Sequence, residues 1–244
     1  MKGLGEHPWA GEYFRIGPVE DFATLLIAPT NGYIFQQDTC TGLYSRNYGR
    51  VQSDDGGLRL TFEIPDAPGL QPELVVVPWD PRTYLIPPDQ LIAFCQTVNE
   101  GIDSRDRSAG WFFVRRGTER KRAEGLPAVP PELEKYLLKE PILSEIVAVG
   151  PTSVQTDQHG YSARSTPVTI NGGKDAGCFV GMRMSVMAPA EVLDGVTITS
   201  VGDESCEGLF TTRGNLKDVK PNPQVGWTLS SRYSEARLKM IAYP

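Results

Sequence analysis

Leu58, Leu60, Phe62 and Ile64 alternate with Arg59, Thr61 and Glu63, a period of two that suits a strand with one face on a core and the other in water. The alternation follows Asp54-Asp55-Gly56-Gly57, where glycine supplies the positive φ of a hairpin turn. The same grammar appears upstream. Phe22 to Ala28 is apolar, Pro29-Thr30-Asn31-Gly32 is a turn signal, and Tyr33-Ile34-Phe35 resumes the strand. Glu73 to Trp79 and Arg82 to Ile86 read as further strands. The 25 glycines and 20 prolines are what many short strands and tight turns require.

The period changes at Pro87-Pro88-Asp89. Leu91, Phe94, Cys95 and Val98 recur at three and four residues, prolines occupy the first turn, Asp89 suits the positive helix start, and Gly101 offers a stop. Trp111 to Val114 reads as a strand. Gly125 to Pro131 is a stiff connector, because proline fixes φ and disfavours helix in the residue before it. A short helix is expected over Glu132 to Lys139. Strand patterns return at Ile142 to Val149, Pro167 to Ile170, Phe179 to Met187, Val196 to Val201 and Gly208 to Thr212, while the polar stretch Thr152 to Thr166 reads as an exposed loop. The expected fold is mainly β: two small antiparallel, barrel-like modules, residues 1–86 and 141–244, joined by a helical, Pro-rich connector with one strand, residues 87–140.

Twenty-four basic against 30 acidic residues give a net charge of −6, which repels a phosphate backbone and argues against general nucleic-acid binding. No apolar run reaches the ~18 residues that a bilayer-spanning helix needs. The start, Met1 to Glu6, lacks an apolar signal core, so the chain reads either as cytoplasmic or as a mature form after export. Cys40, Cys95, Cys178 and Cys206 show no C-x-x-C spacing and come with only His7 and His159. No metal site or cofactor is therefore expected. Cys95 shares the helical apolar face and reads as a core thiol. Cys178 and Cys206 fall in neighbouring candidate strands, and the choice between free thiols and a bridge stays open.

Trp9-Ala10-Gly11-Glu12-Tyr13, followed by antiparallel strands, resembles the opening of small lipocalin-like barrels. For residues 8–86 that resemblance implies a cup able to take a small apolar ligand. Such barrels have about eight strands, and about seven are legible here. Gly173, Gly177 and Gly181, set between a strand at Val168 to Ile170 and a later one ending in Val201, make residues 141–232 resemble the small barrel modules of periplasmic cell-shape and flagellar-assembly proteins. That resemblance implies assembly with other proteins and no chemistry. The glycine run is not a phosphate loop, since Asp175 follows Lys174 where Ser or Thr would stand.

Asp157, His159 and Ser162 crowd three triad-type residues into one loop with no scaffold to orient them. Cys40 with His7 makes a thiol and base pair without a flanking signature. Arg115, Arg116, Arg120, Lys121 and Arg122 could attract an acidic partner or anionic lipid headgroups, but with Glu119 among them and no aromatic residues between them they read as a solvated hairpin tip. The densest cluster of aromatic and hydrogen-bonding groups is Cys40 to Arg50, in which Tyr44, Arg46, Asn47, Tyr48 and Arg50 form the candidate binding set. No catalytic set emerges. The expected function is a non-enzymatic binding or assembly protein of the bacterial cell envelope, periplasmic or extracellular, whose partner, a protein or a small ligand, the sequence does not identify. A small-ligand carrier using the N-terminal cup is the second reading, and a hydrolase with dispersed residues the third.

Overall fold

In the computed structural model, which describes residues 7–16, 21–28, 32–54, 56–65, 68–102, 112–119, 121–156, 161–215 and 221–242, Leu58 and Leu60 turn inward and Arg59 and Thr61 outward. The chain divides into two compact units, one built mainly from residues 1–98 and 102–134, the other from residues 99–101 and 135–238.

The first unit is a closed antiparallel barrel of eight strands in chain order: β1 (Gly11–Ile16), β2 (Phe22–Ala28), β3 (Gly32–Thr39), β4 (Gly42–Asp54), β5 (Gly57–Phe62), β6 (Glu73–Trp79), β7 (Arg82–Ile86) and β8 (Phe113–Arg115). Strand β8 closes the ring by pairing Tyr13 with Arg115 and Phe14 with Val114. It comes from the stretch that the sequence assigns to the connector, and its three residues carry no period of their own. Inward positions lie in rows. Tyr13, Leu25 and Phe35 are register partners across β1, β2 and β3, all fully buried, and Phe35 meets Phe113 edge to face at 6.3 Å between ring centroids. The helix α1 (Leu91–Asn99) lies between β7 and β8. It buries Leu91, Phe94, Cys95 and Val98, the face that the sequence period marks, and packs Phe94 edge-on against Phe112 at 5.3 Å. Arg115 donates to the carbonyls of Pro8 and Ala10 at 3.0 and 2.7 Å, and Arg116 pairs with Glu12 at 2.7 Å. These two side chains of the basic run thus fasten the chain around Trp9 to the barrel's closing strand.

The second unit has seven strands: β9 (Leu143–Val149), β10 (Ser153–Thr156), β11 (Tyr161–Asn171), β12 (Arg183–Ala188), β13 (Gly195–Val201), β14 (Ser205–Asn215) and β15 (Thr228–Ser230). Six of them close in the order β11-β14-β13-β12-β15-β9, with β9 pairing back to β11; β10 pairs with the first half of β11. Ile146, Ile170, Met184, Phe210 and Leu229 fill the core, and Trp227 stands edge-on to Phe210 at 5.8 Å. A second helix, α2 (Glu235–Ala242), follows β15. Between Tyr136 and Pro131 the expected helix is a 3-10 turn.

The polar stretch Thr152 to Thr166 is not an exposed loop. Ser153–Thr156 pairs with Ser162–Ser165, and Ser162 and Thr166 are buried. Hydroxyl bonds between Thr152 and Thr166 at 2.8 Å and between Thr156 and Ser162 at 3.0 Å join the strands. β-branched threonine suits strands, and hydroxyl pairs across strands replace the apolar contacts by which a hydrophobic period is read. The glycine run has a physical reason. A Cβ at Gly173 would collide with the carbonyl oxygens of Gly202 and Asp203, and Gly177 ends the 3-10 turn Lys174–Ala176 at φ +86°.

Candidate functional site

Strand β4 is thirteen residues long and alternates from Tyr44 to Gln52. Ser45 and Asn47 point into the barrel, while Tyr44, Arg46, Tyr48 and Arg50 are exposed. The candidate set read from sequence therefore divides by strand parity. Four of its members share the outer face. Asn47 does not: it is 1% exposed, accepts the Tyr33 hydroxyl at 3.0 Å and donates to the Ile64 carbonyl at 2.7 Å. It is a structural residue of the barrel interior. The Tyr33 phenol that it receives is pushed up to about 12, first by burial and then by the nearby Glu63 carboxylate.

Neighbouring strands complete the outer face with residues that the sequence reading passed over. The register places Leu26 beside Ile34 and Ile34 beside Tyr48, so three apolar side chains cross β2, β3 and β4 in one row. Further along, Phe22 lies opposite Asp38 and Asp38 opposite Leu43. The register of β3 and β4 shifts here: Gln37 pairs with Ser45 but Asp38 with Leu43, leaving Tyr44 as the extra residue of a bulge. The bulge breaks the alternation, and Leu43 and Tyr44 are both exposed. Phe22, Leu26, Ile34, Leu43, Tyr44 and Tyr48 are each between 46% and 59% exposed. At roughly 100 Å² apiece they present on the order of 600 Å² of apolar surface, the upper end for a monomer. The signal for them was present in Phe22 to Ala28, where apolar residues fall at both parities, but one strand alone cannot say which face meets the core.

Arg46 and Arg50 flank Tyr48 on this face, and among the described residues neither forms an ion pair. Two exposed arginines elsewhere are engaged: Arg59 with Glu73 at 3.3 Å and Arg183 with Glu100 at 2.8 Å. Gln36, between Ile34 and Asp38, donates to the Asp38 carboxylate at 2.8 Å.

The remaining candidates do not assemble. His7 packs tilted against Trp9 at 5.0 Å between ring centroids, at the end of the barrel wall where Gly11, Ile27 and Tyr33 are partners. Cys40 lies in the turn after Thr39, seven residues beyond Tyr33 and so about 20 Å along the wall. Asp157 and His159 lie outside the described residues, and Ser162 bonds Thr156. Cys40 is exposed, whereas Cys95, Cys178 and Cys206 are buried, all as free thiols. Burial pushes the Cys95 thiol up to about 11. Burial, then the neighbouring Cys206 and a hydrogen bond with it, push Cys178 up to about 12. Cys178 and Cys206 are thus immediate neighbours in the second core. A shallow groove of about 590 Å³ beside β5 and β6, lined by Leu58, Val75, Val76, Val129 and Pro130 and by Asp54 at the end of β4, holds none of the residues of the Leu26, Ile34 and Tyr48 row. Among the described residues no three His, Cys, Asp or Glu side chains converge as metal ligands, and no helix is long and apolar enough to cross a membrane. Comparison of the chain with protein-family models, with curated proteins and with solved structures finds no match.

Proposed function

We propose that this chain is a non-enzymatic binding or assembly protein of the bacterial cell envelope that recognises a protein partner through the outer face of β2, β3 and β4. The observation that carries this reading is the row Leu26, Ile34 and Tyr48, exposed on a rigid closed wall and flanked by Arg46 and Arg50. Tyrosine and arginine around an apolar centre are the composition of an interface anchor, and a barrel wall holds them without the entropy cost of ordering a loop. The cup reading is weaker because the rows of Tyr13, Leu25 and Phe35 and the Phe35–Phe113 contact occupy the interior that a ligand would need. The envelope assignment rests on the Gly173, Gly177 and Gly181 spacing and its resemblance to periplasmic assembly modules.

A photo-crosslinking residue at position 34 or 48, expressed in the native host, tests the face. The expected result is a covalent adduct of one discrete mass at both positions and none at the exposed position 89. Equal labelling at all three positions, or none at 34 and 48, would refute the docking face. Cell fractionation tests the compartment, and recovery of the protein with cytoplasmic markers would overturn the envelope assignment.

A further inference from the structure

We infer that the partner presents an acidic, amphipathic polypeptide segment whose apolar side chains cover Ile34 and Tyr48 while its carboxylates meet Arg46 and Arg50; this rests on the docking face proposed above. Three observations carry it. Every strand of the face is paired on both sides: β2 with β1 and β3, β3 with β2 and β4, β4 with β3 and β5. The backbone is therefore saturated, strand addition is closed, and recognition must run through side chains.

The second observation is charge. Arg46 and Arg50 stand two residues either side of Tyr48 on one strand face, about 13 Å apart. They are ion-paired to nothing among the described residues, on a chain whose net charge is −6. Two separated guanidiniums around an aromatic centre match two carboxylates spaced around an apolar side chain, and such complementarity selects a partner and speeds its encounter.

The third observation separates the possible occupants. Asp38 and Glu63 border the face, so a uniformly anionic lipid surface would meet carboxylates as well as arginines, whereas a polypeptide can place its charges discretely. A second copy would bring its own Arg46 and Arg50 to the same apolar centre, and like charges facing one another are costly. An acidic segment meets neither objection.

The test pans a phage library of random twelve-residue peptides against the full chain, the double variant Arg46→Glu/Arg50→Glu, and the double variant Ile34→Ser/Tyr48→Ser. All the altered side chains are exposed, and circular dichroism verifies that each protein is folded. The expected result is enrichment of peptides with two or more Asp or Glu flanking an aromatic or aliphatic residue. Those peptides should lose about tenfold in affinity on the charge-reversed protein, which should itself select basic peptides. No enrichment, enrichment without a carboxylate bias, or acidic peptides that bind the charge-reversed protein equally well would overturn the inference. Peptides of any charge that are lost only on Ile34→Ser/Tyr48→Ser would leave the docking face standing and remove the acidic partner. Peptides that bind this variant as well as the parent would remove the face itself. Sedimentation with vesicles containing 30% phosphatidylserine, abolished by the charge reversal, would overturn the inference in favour of lipid. A dimer in solution abolished by Ile34→Ser would overturn it in favour of a second copy.

Discussion

Replacing Asn47 by alanine separates the barrel's interior from its outer face. The native amide accepts the Tyr33 hydroxyl and donates to the Ile64 carbonyl. Ile64 is exposed and its carbonyl can regain water, but Tyr33 is 3% exposed and its hydroxyl would be stranded. Two lost hydrogen bonds at about 1 kcal/mol each, plus about 1–2 kcal/mol for the stranded phenol, give an expected cost of about 3–4 kcal/mol for the first barrel. Tyr48→Ser and Arg46→Ala, one position away on the same strand, should each stay within about 0.5 kcal/mol because their side chains face water. Native-state hydrogen exchange read by mass spectrometry on β3 and β4 peptides reports this barrel separately from the other. A double-mutant cycle with Tyr33→Phe should recover at least about 0.5 kcal/mol of coupling, since removing the hydroxyl removes the stranded group. Additive effects, or a cost for Asn47→Ala below about 0.5 kcal/mol, would show that the amide does not serve the interior as argued.

Gly173→Ala should lower the stability of the second barrel by about 1–3 kcal/mol, because its Cβ meets two backbone carbonyls that cannot rotate away; urea unfolding measures this, and an unchanged midpoint would refute it. Burial pushes the Tyr13 phenol up from 10.0 to about 12, with Arg115 opposing. A folded value above the unfolded one means that the contribution is complete below about pH 10 and is lost as pH rises toward 12. At about 1.4 kcal/mol per tenfold, the parent should lose up to about 2–3 kcal/mol more than Tyr13→Phe between pH 9 and 12. Identical alkaline profiles would contradict this. Cys40 alone among the four thiols is exposed, so a thiol reagent should titrate one equivalent quickly in the reduced native protein and four in denaturant. If the proposed envelope assignment holds, protein purified from its native compartment without reductant should give a denatured count of two, because the neighbouring Cys178 and Cys206 thiols lose two protons and pass two electrons to an external disulfide as they join. Four there would count against export.

Legibility followed the hydrophobic period. Strands β2, β6 and β7 match the expected spans residue for residue, and α1 buries the four side chains that its spacing picked out. Failure came where strand pairing is polar or brief. β10 and the start of β11 are joined by serine and threonine hydroxyls, and β15 has three residues, too few to display any period; β8 overlaps the strand expected at Trp111 to Val114, and only its place in the barrel was not legible. The site was half legible. The Tyr and Arg residues of β4 were marked by composition, but Asn47 was grouped with them because parity shows only once the strand is in place. Leu26 and Ile34 belong to the face through register, a property of pairs of strands that no single segment encodes.

The late arrival of β8 has a consequence for the life history of the chain. β7 ends at Ile86 and β8 begins at Phe113, so a ribosome must deliver α1 and the residues that follow it before the ring can shut. Until then β1 and β7 are bare ladder edges, carrying apolar residues on strands built for pairing, and the nascent wall is open to any other extended chain. A fragment cut at residue 86 would be frozen in that condition, a sticky ribbon in place of a sealed cylinder. Preparations of the first barrel should therefore retain the chain at least through residue 134, where the main stretch of its compact unit ends.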